Sequence, residues 1–236
     1  EFLMKRLAII PARGGSKRIV NKNIKNFMGK PMIHHILSTL KESNLFNQIH
    51  VSTDSLKIKT TVQNIGITID FLRPDNLADD TTTLMPVLKY VTKKYMEMNI
   101  YFDQIWLIMP CSPLILANDL IRAEKIYKTQ KNSSKLMAVS KYPAPIEWAY
   151  EKDDNGILKA INPGAFKIPS QQMKPSYYDT GNFCIFSQQD ILMSEGAGEG
   201  ENFQPFEIPF TRGLDIDDED DWEMAENLFS LSLNNK

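Results

Sequence analysis

The chain of 236 residues carries 27 Lys and Arg against 29 Asp and Glu, so its formal net charge at pH 7 is only -2. Because positive charge is not in excess, the composition argues against a nucleic-acid-binding protein. A chain of this length buries about 70–75% of its unfolded surface, enough for the core of one large domain. No apolar run of about 18 residues is present, which predicts a soluble, cytoplasmic protein with no membrane span.

Residue types that often bind transition metals are sparse in this chain. Cys111 and Cys184 lie apart in apolar surroundings and form no CxxC or Cys/His ligand spacing. This usage is typical of a reducing compartment and predicts small core residues rather than a zinc site. The three histidines, His34, His35 and His50, are interpreted as packing or surface residues.

The first predicted strand leads into an unusual loop. The apolar run that ends at Ile10 is followed by "PARGGSKRIVNKNIK", which contains two glycines, five basic residues and no acid. The basic residues are Arg13, Lys17, Arg18, Lys22 and Lys25. A phosphate cradle, a basic patch for nucleic acid and a solvated turn all remain open as interpretations at this point. Neither GxxxxGK[ST] nor GxGxxG is present, so the common phosphate-binding fingerprints do not apply.

Strand-like runs then alternate with amphipathic helical segments. Strands are predicted at residues 5–12, 48–54, 70–74 and 103–109, and helices at 31–43, 55–65, 82–98 and 117–130. This alternation predicts an α/β domain with a mostly parallel sheet. Ligands of such sheets bind at the carboxyl ends of the strands, so the basic loop falls where a ligand is expected.

The periodicity ends between about residues 142 and 176. This span has five prolines, a hairpin turn predicted at "DDNG" (153–156) and little helical pattern. Its apolar residues are Ile146, Trp148, Ile157, Leu158, Ile161 and Phe166. A solitary projection could not bury them, so the span is interpreted as an arm that packs on a twin subunit. The expectation is one domain over residues 4–236, with a dimerisation arm at about 142–176 and returning strands at 182–187 and 206–210.

The chain closes with "LDIDDEDDWEMAENLFSL", in which acidic residues precede an apolar helical stripe. Capping of a helix N-terminus explains Asp218, Glu219 and Asp220, because the helix dipole favours negative charge there. Asp215 and Asp217 come earlier, on an extended segment where residues two apart project to the same side. Their carboxylates can converge on one hard cation such as Mg²⁺. Beside a cationic loop, such a pair indicates phosphoryl or nucleotidyl transfer.

These residues carry a family resemblance. The segments "IPARGGSKRIVNKNIKNFMGKPMI", "VSTDS", "FLRPDNLADDTTT", "YYDTGNFCIF" and "LDIDDEDDWEMAE" resemble, in order, the cytidylyltransferases that activate nine-carbon α-keto acid sugars as CMP conjugates. "YPAPIEWAY" and "DDNGILKAINPGAF" are most similar to the pseudaminic acid branch. The resemblance implies a Rossmann-like nucleotidyltransferase domain with a projecting dimerisation arm. It also implies attack of the sugar's anomeric hydroxyl on the α-phosphate of CTP, release of pyrophosphate and a requirement for Mg²⁺.

The resemblance also assigns roles to residues of the nucleotide end. Arg13 and Lys17 would bind the triphosphate, and Lys22 would stabilise charge at the transferring phosphorus. The catalytic set implied is Arg13, Lys22, Asp215 and Asp217, with both aspartates as the metal ligands. The nucleotide-binding set implied is Ala12, Arg13, Gly14, Gly15, Ser16, Lys17, Asn23, Arg73 and Asp80. For Arg73 and Asp80 an ion pair that pins a loop is an alternative, and Asp54 is interpreted as a cap of the following helix.

The sugar end implied by the resemblance consists of Met109, Lys167, Tyr178, Asp179, Gly181 and Asn182. Two of these depart from the pattern of sialic acid enzymes. Met109 stands where those enzymes commonly have Gln, which argues against N-acetylneuraminate because an apolar side chain cannot replace that hydrogen bond. Lys167, in "KIPSQQM", would take over an arginine's contact with the sugar carboxylate.

The sequence therefore favours a homodimeric CMP-nonulosonate synthase that uses pseudaminate. Legionaminate, N-acetylneuraminate and the eight-carbon Kdo remain alternative sugars. A nucleotide-binding module without turnover remains the alternative from another class, because glycine loops and acidic helix starts also occur in inactive proteins.

Overall fold

The computed structural model describes residues 4–129, 134–196 and 200–234. Its strands are β1 Arg6–Pro11, β2 Asn26–Phe27, β3 Lys30–Pro31, β4 Gln48–Ser52, β5 Gln104–Ile108, β6 Lys135–Lys141, β7 Tyr150–Lys152, β8 Leu158–Ala160, β9 Tyr177–Ser187 and β10 Phe203–Glu207. Its helices are α1 Met32–Ser43, α2 Leu56–Asn64, α3 Leu84–Glu97, α4 Ala117–Thr129, α5 Gln188–Met193 and α6 Glu219–Asn234.

Six strands form one central sheet in the order β10-β6-β9-β5-β1-β4. Five of them run parallel, and β9 runs antiparallel between β5 and β6. The predicted α/β fold with a mostly parallel sheet is therefore confirmed. Because the parallel strands share one direction, the loops after β1, β4 and β5 meet at a single edge of the sheet.

Apolar side chains fill both faces of the sheet, as expected for parallel strands covered by helices on either side. Alternate residues of β1 point to opposite faces, so Ala8 and Ile10 pack with α1, α2 and α4. Leu7 and Ile9 pack with α3 and α5. A third cluster, which includes Phe27, Ile216 and Trp222, lies under the loop after β1 and ties α6 to it.

Several sequence expectations about elements were wrong or incomplete. Residues 70–74 do not form a strand. The Arg73 backbone N–H donates to the carbonyl oxygen of Thr53 in a loop contact. The apolar side chain of Phe71, which had indicated a strand, stacks on His50 instead. The last strand lies at Phe203–Glu207 rather than at 206–210. Strand β6 and helix α5 had not been predicted.

The segment between β6 and β9 contains the predicted hairpin. Strands β7 and β8 pair antiparallel around a turn in which Gly156 has a φ of 80°, a left-handed conformation that glycine adopts easily. The segment leaves the sheet where Tyr142 N–H donates to Ser176 O at 2.9 Å, so its two ends are adjacent. No helix within the described ranges is both long and apolar enough to cross a bilayer.

Candidate active site

A cleft of about 290 Å³ opens at the carboxyl ends of β1 and β5. Its walls come from the loop after β1, the segment before α3, the residues after β5 and the segment before α6. The residues that line it are Pro11, Arg13, Ser16, Lys17, Arg18, Ile19, Lys22, Asn23, Arg73, Asp79, Asp80, Thr82, Leu84, Val87, Met109, Pro110, Cys111, Asp215 and Asp217. The structure thus brings together ten of the residues that the sequence assigned to the site.

The basic loop faces Asp80 across one end of the cleft. Arg13 Nη1 donates to Asp80 Oδ1 at 2.8 Å and to the carbonyl oxygen of Asp79 at 2.7 Å. Lys17 forms an ion pair with the same carboxylate. Hydrogen bonds from Lys17 and Arg13 lower the pKa of Asp80 below its usual value, so two cations and one anion meet here.

Two side chains fix the backbone of this loop. Asn23 Nδ2 donates to the carbonyl oxygen of Arg13 at 3.1 Å. The backbone N–H of Gly14 donates to Asp54 Oδ1 at 2.9 Å. A Cβ at Gly14 would lie 3.0 Å from that of Ser55, so a larger residue would require a shift of a few tenths of an ångström here.

The interpretation of Asp54 as a helix cap was wrong. Ser55 caps α2, because its side chain accepts from the backbone N–H of Ile58 at 3.4 Å. Asp54 instead holds the glycine loop, a contact across 40 residues of chain. Local capping preferences could not distinguish these two neighbouring residues.

Arg73 reaches the cleft from a buried position. Its Nε donates to Ser52 Oγ at 3.1 Å, and its Nη2 donates to the Ser52 carbonyl oxygen at 2.8 Å. Burial lowers the pKa of Arg73 to about 10, against an opposing effect of Asp54. Arg73 therefore stays charged at neutral pH. Arg73 thus pins its loop through hydrogen bonds to β4 and not through an ion pair with Asp80. Asp80 pairs with Arg13 and Lys17 instead.

Asp215 and Asp217 lie on the opposite wall, on residues 209–218, which we call the carboxylate strap. Ile216 between them is fully buried in the core, so the two carboxylates project away from it. Arg18 Nη2 lies 2.9 Å from Asp217 Oδ1, and Lys22 Nζ lies 3.3 Å from the same atom. The loop after β1 thus contacts acids on both sides of the cleft.

The environment of Asp215 favours binding of a cation. Although the residue is exposed at the cleft mouth, partial desolvation by the cleft walls and the negative charge of Asp217 raise its pKa. A cation between the carboxylates would relieve that repulsion. No group of three or more His, Cys, Asp or Glu ligands occurs among the described residues. Mg²⁺ is commonly held by one or two carboxylates together with substrate phosphates, so two aspartates fit this ion.

Glycines allow the strap to approach the sheet closely. A Cβ at Gly213 would lie 2.6 Å from Ser140 Oγ and 2.6 Å from Thr180 Cγ2, which leaves no room for any other side chain. Gly181 has a φ of 65°, and a Cβ there would lie 3.0 Å from Asp215 Oδ2. Gly181, which the sequence had assigned to the sugar, therefore abuts the Asp215 carboxylate.

Of the remaining residues that the sequence assigned to the sugar, only Met109 lines the cleft. Met109 lines the cleft and also packs on the core. Asn182 is buried, and its Nδ2 donates to Ser112 Oγ at 3.1 Å. The ring of Tyr178 packs against Tyr142 at the base of the arm, and Lys167 is exposed on the arm. The predicted site residues outside the cleft lining are Ala12, Gly14, Gly15, Lys167, Tyr178, Asp179, Gly181 and Asn182.

The cleft also contains residues that the sequence reasoning missed. Cys111 Sγ donates to Asn23 Oδ1 at 3.6 Å, and burial raises the pKa of this thiol to about 12. Asp79 and Thr82 line the wall opposite the strap. Cys111 follows the carboxyl end of β5 closely, and this position is the signal that could have identified it as a cleft residue. Thr82 precedes α3 and had no comparable signal.

Comparison with known proteins identifies the family. The model of the family described as "Cytidylyltransferase" matches residues 7–137, more than half of the 236-residue chain. The chain belongs to the cytidylyltransferase family. It is therefore assigned to the CTP-dependent nucleotidyltransferases, which argues against the alternative of a module without turnover.

Two curated relatives match this cytidylyltransferase over nearly its whole length. A pseudaminic acid cytidylyltransferase of Campylobacter jejuni subsp. jejuni serotype O:23/36 (strain 81-176) is 30% identical, over 97% of this chain and 98% of the relative. A CMP-N,N'-diacetyllegionaminic acid synthase of Legionella pneumophila subsp. pneumophila (strain Philadelphia 1) is 29% identical, over 97% of this chain and 98% of the relative.

The fold of this cytidylyltransferase is also found among solved structures. The structure of a CMP:2-keto-3-deoxy-manno-octonic acid synthetase complexed with CTP aligns with a TM-score of 0.72 at 17% sequence identity. The alignment covers 97% of this chain and 99% of the other. At this identity the likeness extends to the fold alone.

Proposed function

We propose that this cytidylyltransferase transfers CMP from CTP to the anomeric hydroxyl of a nine-carbon α-keto acid sugar, with pseudaminic acid as the substrate. The observation that carries the proposal is the arrangement of the cleft, in which a glycine-containing basic loop lies between Asp80 and the Asp215/Asp217 pair. Likeness over 97% of the chain to a pseudaminic acid cytidylyltransferase supports this sugar.

The Arg13 end of the cleft suits a triphosphate. A triphosphate would compete with the exposed Asp80 carboxylate for Arg13 and Lys17, and charge-assisted hydrogen bonds to phosphate are strong. The carboxylate does not need to move far, because it is exposed and water can solvate it. Asn23 and Asp54 would keep the loop backbone in place during this exchange of partners.

The Lys22 end suits the reacting phosphorus. Lys22 Nζ is held by the carbonyl oxygen of Ile216 and lies near Asp217, so its charge is fixed before substrate binds. Preorganised cations that meet charge developing in the transition state are often the largest contribution to catalysis. Asp215 and Asp217 would hold Mg²⁺, which supplies further positive charge at the phosphates when bound.

The choice of sugar depends on the wall that Met109 provides. Met109 presents an apolar surface to the cleft, which suits the methyl-terminated, deoxygenated end of pseudaminate better than a hydroxyl-rich chain. An apolar difference of this kind discriminates by only about 1–3 kcal/mol. Legionaminate is the second candidate, because a legionaminic acid synthase is 29% identical over the same share of the chain.

A substrate panel tests the proposal. Pyrophosphate release would be measured with CTP and equal concentrations of pseudaminate, legionaminate, N-acetylneuraminate and Kdo. We expect the highest kcat/KM with pseudaminate. If N-acetylneuraminate gave the highest value, the pseudaminate assignment would be wrong, and if no sugar released pyrophosphate, nonulosonate transfer itself would be wrong.

We also propose that the protein is a homodimer formed through the arm, residues 142–176. Ile157 and Leu158 at the hairpin are each 61% exposed, and Ile161 is 50% exposed. Burial of such side chains against a second copy would remove them from water, which is favourable. The single domain of residues 4–236 would then carry its arm as the dimerisation element.

A further inference from the structure

An ion pair that none of the roles above uses ties the carboxylate strap to the start of helix α4. Arg212, near the start of the strap, donates through both terminal guanidinium nitrogens to Asp119. Nη2 lies 3.2 Å from Asp119 Oδ1, and Nη1 contacts Oδ2. The Asp119 side chain is only 4% exposed. A fork with two bonds fixes orientation as well as position.

Asp119 lies in the first turn of α4, and its Oδ2 also accepts from the backbone N–H of Leu116 at 3.0 Å. The segment between β5 and α4 begins at the cleft, which Met109, Pro110 and Cys111 line, and ends at this turn, outside the lining. The Arg212–Asp119 pair therefore joins the segment after β5 to the strap, across 93 residues of chain.

The strap has little freedom between Arg212 and Asp215. The backbone N–H groups of Arg212 and Gly213 both donate to the carbonyl oxygen of Pro209, at 2.8 and 3.0 Å. Gly213 is packed against the sheet with no room for a Cβ. Asn182 Nδ2 then lies 3.5 Å from the carbonyl oxygen of Leu214. Because these contacts leave the short backbone from Arg212 to Asp215 little room to adjust, we expect a displacement at Arg212 to alter the position of Asp215, three residues later.

We infer that Arg212 and Asp119 are a positioning pair, which acts through the strap to hold Asp215 and Asp217 where they can bind Mg²⁺. The inference rests on the proposed function, because it takes the two aspartates as the metal ligands. Loss of the pair should lower stability, because it leaves a buried carboxylate without its cation, and should in addition weaken metal binding. A small displacement of the ligands is costly to an ion that requires near-ideal octahedral geometry.

The chain offers a matched control at the opposite end of the sheet. Arg6, at the start of β1, pairs with Glu124 of α4 at 2.7 Å, and the two side chains are 15% and 7% exposed. This pair joins a strand to the same helix α4 and is buried to a similar degree, but neither of its residues lies on the strap. Arg6→Met should lower stability without affecting the metal.

The experiment compares Arg212→Met and Arg212→Lys with Arg6→Met and wild type. Mn²⁺, which takes the same oxygen ligands as Mg²⁺, would be titrated onto the protein in the presence of CTP and without sugar, and followed by electron paramagnetic resonance. Thermal unfolding would be measured on the same samples. For Arg212→Met we expect Mn²⁺ affinity to fall at least tenfold, and the half-saturating Mg²⁺ concentration for pyrophosphate release to rise by a similar factor. Arg212→Lys should be intermediate, because lysine keeps the charge but not the fork.

Arg6→Met should lose a comparable amount of thermal stability and bind Mn²⁺ within twofold of wild type. The inference is overturned if Arg212→Met and Arg212→Lys bind Mn²⁺ as wild type does, or if Arg6→Met weakens binding equally. Those results would leave the proposed function standing, since wild-type pyrophosphate release with the sugar panel tests it separately.

Discussion

The carboxylate strap and the arm follow strands that are neighbours in the sheet, yet they differ in how their residues are buried. The strap is held by side chains of its own chain, with Ile216 fully buried and Gly213 packed between Ser140 and Thr180. The arm leaves Ile157 and Leu158 mostly exposed, and Gly156 and Gly164 have nothing within 4 Å of an added Cβ. The part of the strap around the two aspartates is thus packed within one chain, although Phe210 at its start is 63% exposed, whereas the arm leaves most of its apolar side chains in solvent.

The largest effect should come from breaking the chemistry of the strap. Asp215→Asn and Asp217→Asn should each lower kcat on the order of a hundredfold or more, because the lost charge would hold the metal in the transition state. Asp215→Asn should not lower stability, because desolvation and the negative charge of Asp217 raise the pKa of Asp215 and so disfavour its charged form. Asp217→Asn should lower stability slightly, because Asp217 pairs with Arg18 and Lys22. Steady-state pyrophosphate release and thermal unfolding would measure both quantities.

Asp220→Asn provides the control for this prediction, because Asp220 is an exposed acid in the first turn of α6. It should retain wild-type turnover. Near wild-type kcat for both strap variants at saturating Mg²⁺ would remove the aspartates from the proposed mechanism.

A second prediction concerns the loss of folding stability at acid pH, which we expect to come from a buried histidine of the central sheet rather than from the arm. His50 on β4 is fully buried, and burial lowers its pKa from 6.5 to about 4. The unfolded chain therefore binds a proton as the pH falls below about 6.5 while the folded protein does not. The free energy of unfolding should fall by about 2 kcal/mol from this residue by pH 5.

Urea unfolding of His50→Gln between pH 8 and pH 5 would measure this contribution. The variant should lose less stability over that range than wild type does. His34→Gln, at a half-buried position, serves as the comparison: burial also lowers the pKa of His34, but less than that of His50, so this variant should differ less from wild type. An unchanged pH dependence in His50→Gln would contradict this prediction and assign the acid sensitivity to other groups, such as the carboxylates or His35, whose pKa burial also lowers.

The smallest effect should come from a single change on the arm. Leu158→Asp places a charge at a position that is 61% exposed in one copy. The apolar burial lost at the dimer interface should cost about 1.4 kcal/mol of association free energy, so we expect the dimer dissociation constant to rise roughly tenfold. Sedimentation velocity at micromolar concentration would show a shift towards monomer.

Met193→Asp, at a position on α5 that is 72% exposed, should leave the association unchanged. A wild-type protein that is monomeric and fully active at that concentration would show that the arm serves another purpose.

The sequence predicted the parts of the fold that have a local signal. Helices α1, α2, α3 and α4 were placed within two residues of their observed bounds, because each presents an apolar face at helical spacing. Residues 70–74 were predicted as a strand from their apolar content, but Phe71 is there to pack on His50. β-Propensity does not distinguish an apolar side chain buried on a strand from one buried in a loop.

The site was predictable to the same degree. The basic loop and Asp215/Asp217 were found from residue type and position, and the structure places them in one cleft. The contacts that hold them could not be found in this way. Asp54 binds Gly14, and Asp119 binds Arg212, across 40 and 93 residues of chain, and no local pattern indicates either pair.

The attachment of the arm has a consequence for protein engineering. Lys141 at the end of β6 and Tyr177 at the start of β9 are directly paired in an antiparallel ladder. Antiparallel neighbours can be joined by a two-residue turn, for which Asn-Gly is well suited. Replacing residues 142–176 by such a turn would convert the arm into an ordinary hairpin. The Lys141–Tyr177 pair is thus a position at which the arm could be deleted to give a smaller scaffold, or replaced by a different recognition element.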